Sequence, residues 1–345
     1  MKYTKEQEHR CVYYFFNDCK LTKKRIIHKI TNIDFFVNNE LTNVKKIYEI
    51  KDYKNYYYVC ENSYELKITE LNDNTNYVRS GKVVGTDTSI LLKYEDIQLI
   101  DLKSYLISLS SPKKYIFSLI NIYKYLLVSI NLLVDNKIVN NYINFDSIVV
   151  DKYMNPLISN FAFSIDISKT DIQQYIKHFF IDYNPTYVEW SLEFHILSFL
   201  LTNKLHSLSF YNIECIVNDV IKNNTILSNF GDAIIKEYIN DAIKYFNKYV
   251  NKSYEFIITD ILQYSYTWDN YALSIMFLRI LIGIHNTIEI KNKFIIFFMK
   301  LLVTNIHPNP LKRLSINDTT NKFEHIIESI EPIDYNEIIN KLMSA

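Results

Sequence analysis

Glycine is nearly absent from this 345-residue chain, with four residues in all: Gly81, Gly85, Gly231 and Gly283. Loops that cradle phosphate need clustered glycines, so that backbone amides can approach the ligand closely. Only Gly81 and Gly85 are near one another, and "GKVVG" before "TDTSILL" reads as a turn leading into a strand. That excludes a dinucleotide fingerprint and a Walker-type loop. Proline is also scarce, with six residues, so Pro-rich linkers are excluded as well. The four cysteines, Cys11, Cys19, Cys60 and Cys215, show no metal-ligand spacing. The polar start "MKYTKEQEHR" does not read as a signal peptide, so reduced thiols in a cytosolic compartment are expected. Charge of one sign is missing too: Lys+Arg and Asp+Glu both number 38. A balanced chain carries no polybasic footprint for nucleic acid or membrane surfaces. Nor does an uninterrupted apolar run of about 20 residues stand out for a bilayer span. The nearest candidate, "YALSIMFLRILIGI", is broken by Arg279 and reads as a buried helix.

What the chain has in quantity is aromatic and apolar side chains: 29 Tyr, 21 Phe and 48% hydrophobic residues against 22% charged. That is globular composition at a length able to bury a large core. Tyr, Asn, Ile, Lys and Phe share AT-rich codons, so genome bias accounts for the tyrosines without a functional role. Between residues 22 and 100 the short β-branched or aromatic runs "RIIHKIT", "NYYYVC" and "SILLKYE" predict strands. Between the first two, "FFVNNELTNVKKIYEI" repeats its apolar residues at helical spacing. Beyond about residue 100 helical patterns dominate, beginning with "SPKKYIFSLINIYKYLLVSINLLVD", which Ser111 and Pro112 open. The expected fold class is α+β: a strand-rich unit over 1–98 and a mostly helical one over 99–345. The stretch 203–262, rich in Asn, Lys and Tyr, reads as an inserted pair of helices.

The chemistry-bearing stretch is "IVNNYINFDSIVVDKYMNPLISNFAFSID", residues 138–166. Its layout resembles the catalytic loop, hairpin and metal-binding loop of eukaryotic-type protein kinases, which read roughly I-V-H-R-D-x-K-P-x-N-I-L and then D-F-G. On that frame Asn140, Asn141 and Tyr142 take the His-Arg-Asp positions, Asn144 the Lys and Ser147 the Asn. Asn160, Phe161 and Ala162 take Asp-Phe-Gly. "TWDNYALSIMFLRIL" is similar to the central helix of the large kinase lobe, which places Asp269 on the carboxylate that caps the catalytic-loop backbone. "NPLKRLSIND" is similar to the last kinase signature, with Arg313 on its arginine. The resemblance implies a glutamate partner for Arg313: Glu193 in "PTYVEWSLEFHILSFLL", with Glu189 as the alternative. It covers about residues 99–325 and extends weakly over the first 98. The implied architecture is a two-lobed kinase-like fold, and the ending "SLEFH" resembles kinase homologues of large cytoplasmic DNA viruses.

Set on that frame, the substitutions remove the chemistry. Phosphoryl transfer relies on positioning and charge neutralisation. A tyrosine with a reference pKa of about 10 is a poor base in place of Asp, which is the role of Tyr142. Magnesium needs hard anionic oxygens; Asn160 offers a neutral carbonyl and Ser147 a hydroxyl. Asn144 replaces a cation. The resemblance therefore implies no catalytic residue, no metal ligand and neither ATP nor magnesium as cofactor. Carboxylates that could substitute from nearby are Asp146, Asp151 and Asp166, which otherwise read as solvated loop residues. In the small lobe, Lys29 and Glu40 are the candidates for the strand-lysine and helix-glutamate pair that holds nucleotide. Alternatively they are a surface lysine and an exposed helical glutamate. His178 and His195 form no ligand set. Tyr56, Tyr57 and Tyr58 read as strand rather than as a base-stacking platform.

The expectation is a catalytically inactive kinase homologue, a pseudokinase, that binds protein partners such as an active kinase or a virion component. No nucleic acid and no membrane span are expected, and the location would be the cytoplasm, of a host cell or within a virion if the chain is viral. The alternatives are an atypical Ser/Thr kinase with displaced carboxylates and a structural virion protein that reuses the fold.

Overall fold

A computed structural model describes residues 11–16, 26–67, 88–95, 97–180, 182–288 and 292–344. The glycine pair Gly81 and Gly85 lies outside them, as does Cys19. The chain is mixed α/β, mostly helical, with small antiparallel sheets.

Strands β1 (Cys11–Phe16), β2 (Ile26–Asn32), β3 (Asn62–Lys67) and β4 (Thr88–Glu95) form one antiparallel sheet in the order β1-β2-β4-β3. Helix α1 (Phe35–Ile47) follows β2, and the Asp34 carboxylate caps it by accepting from Val37 N at 3.0 Å. The apolar runs at 26–32 and 88–95 therefore form strands, and the helical spacing between forms a helix. The run at 55–60 does not form a strand. Tyr53–Asn55 make a 3₁₀ turn, and Tyr57 forms only an isolated bridge to Ile158. The reason is tertiary. The Tyr57 ring is buried, and its hydroxyl donates to the Ser129 carbonyl at 2.6 Å, while the backbone of Tyr56 and Tyr58 pairs with Ile158, at 2.9 Å, so the segment is fixed by scattered contacts rather than by a strand ladder.

From Leu99 onward strands are short: β5 (Leu99–Asp101), β6 (Ile138–Val139), β7 (Ile148–Asp151), β8 (Pro156–Ile158) and β9 (Ile165–Asp166). They pair as β5-β7-β8 and β6-β9. Helices α2 (Leu102–Ser108) and α3 (Pro112–Asp135) precede this group; α4 (Ile172–Ile176) and α5 (Leu192–Thr202) follow it. Three helices occupy the stretch expected to hold an inserted pair: α6 (Phe210–Asn223), α7 (Asp232–Phe246) and α8 (Tyr254–Leu262). Gly231, with φ +82° and ψ 158°, turns the chain into α7 in a conformation that side chains with a Cβ disfavour. The chain closes with α9 (Trp268–Ile288), α10 (Lys293–Asn305), α11 (Ile316–Ser329) and α12 (Pro332–Ser344).

The centre of the helical part is aromatic. The fully buried Tyr123 of α3 meets Phe277, Phe298 and Phe323 edge-on, at centroid distances of 4.8, 4.8 and 4.6 Å, as quadrupolar rings prefer. Among the described residues α3, rather than the 271–284 stretch, is the helix long and apolar enough by composition to cross a bilayer. In the fold, 56% of its most apolar window is buried inside the chain.

Candidate functional site

The site begins at Asp269, near the start of α9. Its carboxylate is buried and accepts the backbone N–H groups of Asn140 at 2.7 Å and Asn141 at 2.8 Å. Burial raises its pKa to about 6, against the opposing pull of those two amides. The loop so anchored makes a left-handed bend at Asn141, with φ 60°, a conformation that Asn tolerates better than most residues. The Asn140 side chain closes the bend: its carbonyl accepts from Tyr142 N at 3.1 Å, and its amide donates to the Asn160 carbonyl at 3.4 Å.

Asn144 and Ser147, expected at the lysine and asparagine positions of a kinase loop, are occupied in building the loop itself. Asn144 Oδ1 accepts from the amides of Asp146 at 2.8 Å and Ser147 at 3.0 Å. Ser147 Oγ accepts from Asn144 N at 3.0 Å, which makes a reciprocal capping box around one 3₁₀ turn. Asn144 Nδ2 donates to the Tyr187 hydroxyl at 2.9 Å. Tyr142 stacks on Phe163 at 5.1 Å and lies nearly parallel to Tyr187 at 6.4 Å. Tyr142, expected at the position of a kinase's base, is part of an aromatic stack.

Asn160 is half-buried, with φ 62°. Phe161 is buried edge-on against Tyr57 at 5.7 Å. The Ala162 carbonyl accepts from Asn39 Nδ2 at 2.8 Å. The three carboxylates weighed as substitutes have separate fates. Asp146 is exposed on the 3₁₀ turn. Asp151 closes the β7–β8 turn, accepting from the amides of Tyr153 and Asn155 at 2.8 and 2.9 Å. Asp166, read from sequence as solvated, is buried and takes the Lys46 ammonium at 2.8 Å and the Ser168 hydroxyl at 2.6 Å. Burial by itself would raise its pKa, but Lys46 and Ser168 together hold it below the usual carboxylate value.

Arg313 and Glu193 form a bidentate ion pair at 2.8 and 2.7 Å, and both side chains are fully buried. Arg313 also donates to the His307 carbonyl at 2.7 Å and to the Thr267 hydroxyl at 3.2 Å, and lies over the Tyr271 ring. Glu189, the alternative partner, pairs instead with Arg279 at 2.9 Å. Glu40 is buried on α1 and accepts from the Tyr94 hydroxyl of β4 at 3.2 Å, which corrects the reading of an exposed helical glutamate. Lys29 lies on β2 opposite Leu92; its side chain is outside the described residues, so the expected Lys29–Glu40 pair is not described.

The sequence reading missed how α1 is attached to the segment after Asn160. Asn39 Nδ2 donates to the carbonyls of Ala162 and Ser164, both at 2.8 Å, and Asn43 Nδ2 to Ser164 at 3.1 Å. The Tyr175 hydroxyl donates to Asn39 Oδ1. One turn on, Lys46 reaches Asp166. The signal was present: Asn39, Asn43 and Lys46 fall at i, i+4 and i+7, a polar stripe on a helix that must bury one face. His195 was also left without a role. It is buried, neither ring nitrogen has a hydrogen-bond partner, and burial pushes its pKa down to about 4. The carbonyls of Tyr187 and Trp190 pull weakly the other way without reaching hydrogen-bond geometry.

No family model and no curated protein matches this chain.

Proposed function

We propose that the protein is a pseudokinase: a kinase-like fold that transfers no phosphate and acts by binding protein partners. On this reading the four-stranded sheet with α1 is the small lobe and the helices from α2 onward are the large one. Lys46–Asp166 and the Asn39–Asn43 ladder hold the two together. The observation that carries the proposal is the saturation of the loop. Asn144 and Ser147 satisfy each other and their own backbone, and Tyr142 stacks on Phe163 and lies nearly parallel to Tyr187. These side chains therefore have loop-building roles of their own in place of a base, a cation and a metal ligand. Meanwhile Asp269, Glu193 and Arg313, the positions that support the loop and the following segment in kinases, are engaged in the contacts such a scaffold requires.

A scaffold kept without its chemistry suits a regulator. An active kinase or a virion component is the partner class, and the host cytoplasm or virion the place of action. The helical stretch 203–262 offers the contact surface, with Phe210, Tyr211 and Ile234 exposed. The test is thermal unfolding with ATP alone and with ATP plus magnesium or manganese, alongside a radiolabelled phosphate-transfer assay. A ligand present at a hundredfold excess over its dissociation constant stabilises the folded state by about 2.7 kcal/mol. The expected result is no metal-dependent shift and no transfer. A shift that needs metal, with transfer lost in Asp146→Asn, would overturn the proposal in favour of an atypical kinase.

A further inference from the structure

Beside the anchored loop lies a small internal cavity, with about 10 Å³ of room for the centre of a water molecule, the lower limit for holding one. Asn141 lines it from the loop, Glu189 and Ser191 from the segment before α5, and Trp268 and Ala272 from the start of α9.

Two polar atoms here are unpaired. Ser191 and Trp268 are only 2% and 3% exposed, and neither Ser191 Oγ nor Trp268 Nε1 meets a hydrogen-bond partner among the described residues. Native interiors pair nearly all such groups, because an unmade buried hydrogen bond forfeits the solvation of its donor or acceptor. Ser191 stands at the N-cap of α5, where a serine hydroxyl ordinarily accepts from an amide of the first turn. It makes no side-chain capping bond there, so its hydroxyl remains available to another partner.

What satisfies both atoms is narrowly defined. An indole N–H only donates, so its partner must accept; a serine hydroxyl does either. A cation would meet the indole donor, and an apolar molecule would satisfy neither atom. An anion would face Glu189, which lines the same cavity while its carboxylate holds Arg279 at 2.9 Å. The space admits nothing larger than one water.

We propose that this cavity is a hydration site holding one internal water, which accepts from Trp268 Nε1 and donates to Ser191 Oγ. The water joins elements that already touch. Trp190 Nε1 donates to the Asn141 carbonyl at 3.3 Å, and the Asn141 amide donates to Asp269 at 2.8 Å. The bridge completes a polar seam between the loop, the segment before α5 and the start of α9. It follows from the cavity and its lining, and stands whether or not the pseudokinase reading does.

Water-to-protein cross-relaxation NMR of the isotope-labelled full chain tests it, with Trp268→Phe used to assign the indole signal. The Trp268 indole proton should show NOE and ROE contacts to water of opposite sign, as a water that tumbles with the protein gives. Ala272→Val, whose added methyls enter the cavity, should abolish those contacts while the chain still unfolds cooperatively; Ser191→Ala should weaken them. In crystals of the parent chain, one density peak should lie within about 3.2 Å of both atoms, and a bromide soak should leave no anomalous peak there. Absence of the water contacts, a direct Ser191–Trp268 hydrogen bond in the density, unchanged contacts in a folded Ala272→Val, or bromide in the cavity would each overturn the proposal. If Ala272→Val does not fold, the parent spectra and density decide alone.

Discussion

Replacing His195 by phenylalanine should alter how stability depends on pH, by an amount the structure supplies. The unfolded imidazole titrates near 6.5, whereas burial holds the folded one near 4. Between these values the unfolded state binds a proton that the folded state refuses. The contribution of a neutral buried His195 is therefore complete above pH 6.5 and is lost as the pH falls toward 4. At about 1.36 kcal/mol per pH unit the whole loss is about 3 kcal/mol. Asp269 works in the opposite direction. Its folded pKa of about 6 lies above the unfolded value of 3.8, so the folded state takes up a proton first and gains stability as the pH falls from 6 toward 3.8. The gain is again about 3 kcal/mol. In the native chain the two slopes largely cancel. Phenylalanine keeps an aromatic ring there, removes two unpartnered nitrogens and leaves the Asp269 slope alone. Urea unfolding of both proteins at pH 7, 6, 5 and 4 reads the difference directly. The gap between variant and parent should widen by about 3 kcal/mol on acidification, in favour of the variant. A gap that stays constant with pH would refute the reasoning, because it would mean that His195 titrates alike in both states.

Three further outcomes follow from other contacts. Arg313→Met should cost about 3–5 kcal/mol, since it leaves a buried Glu193 carboxylate unpaired; Arg313→Met with Glu193→Leu should cost less than the single change, as read by denaturant midpoints. Gly231→Ala should lose about 1–3 kcal/mol by strain alone, since a Cβ there meets nothing within 4 Å yet φ stays at +82°; a neutral result in thermal unfolding counts against the turn geometry. Asn39→Leu should cost about 1–3 kcal/mol by stranding the Ala162 carbonyl, while the Ser164 carbonyl keeps Asn43 and Tyr175 as donors, and hydrogen exchange of residues 162–168 should speed up while that of α9 does not change.

Much of the local structure was legible in the sequence because periodicity follows from burial on one face. The helix at 35–47, the strands at 26–32 and 88–95 and the long α3 all lie where apolar spacing placed them. The 55–60 run misled because aromatic and β-branched residues satisfy a strand and an irregular packed segment equally well; the Tyr57–Ser129 hydrogen bond chooses between them. The inserted stretch yielded three helices rather than two because α8 has its own cap, Ser253, whose hydroxyl accepts from Phe256 N at 3.3 Å.

Sequence by itself determined which chemical groups stand in the 138–166 stretch, with carboxylates at Asp146, Asp151 and Asp166 and amide, hydroxyl or phenol groups at Asn140, Asn141, Tyr142, Asn144, Ser147 and Asn160. The resemblance implied a glutamate partner for Arg313 in the 185–201 stretch, Glu193 ahead of Glu189. Only the tertiary structure set Glu193 on Arg313 and Glu189 on Arg279, and only it showed that Asn144 and Ser147 are consumed by their own turn. It alone buried Asp166 against Lys46 and left the His195 ring nitrogens without a hydrogen-bond partner. The physical reason is range. Helix periodicity and turn chemistry act over a few neighbouring residues, whereas desolvation and ion pairing depend on what the fold brings together from 120 positions away.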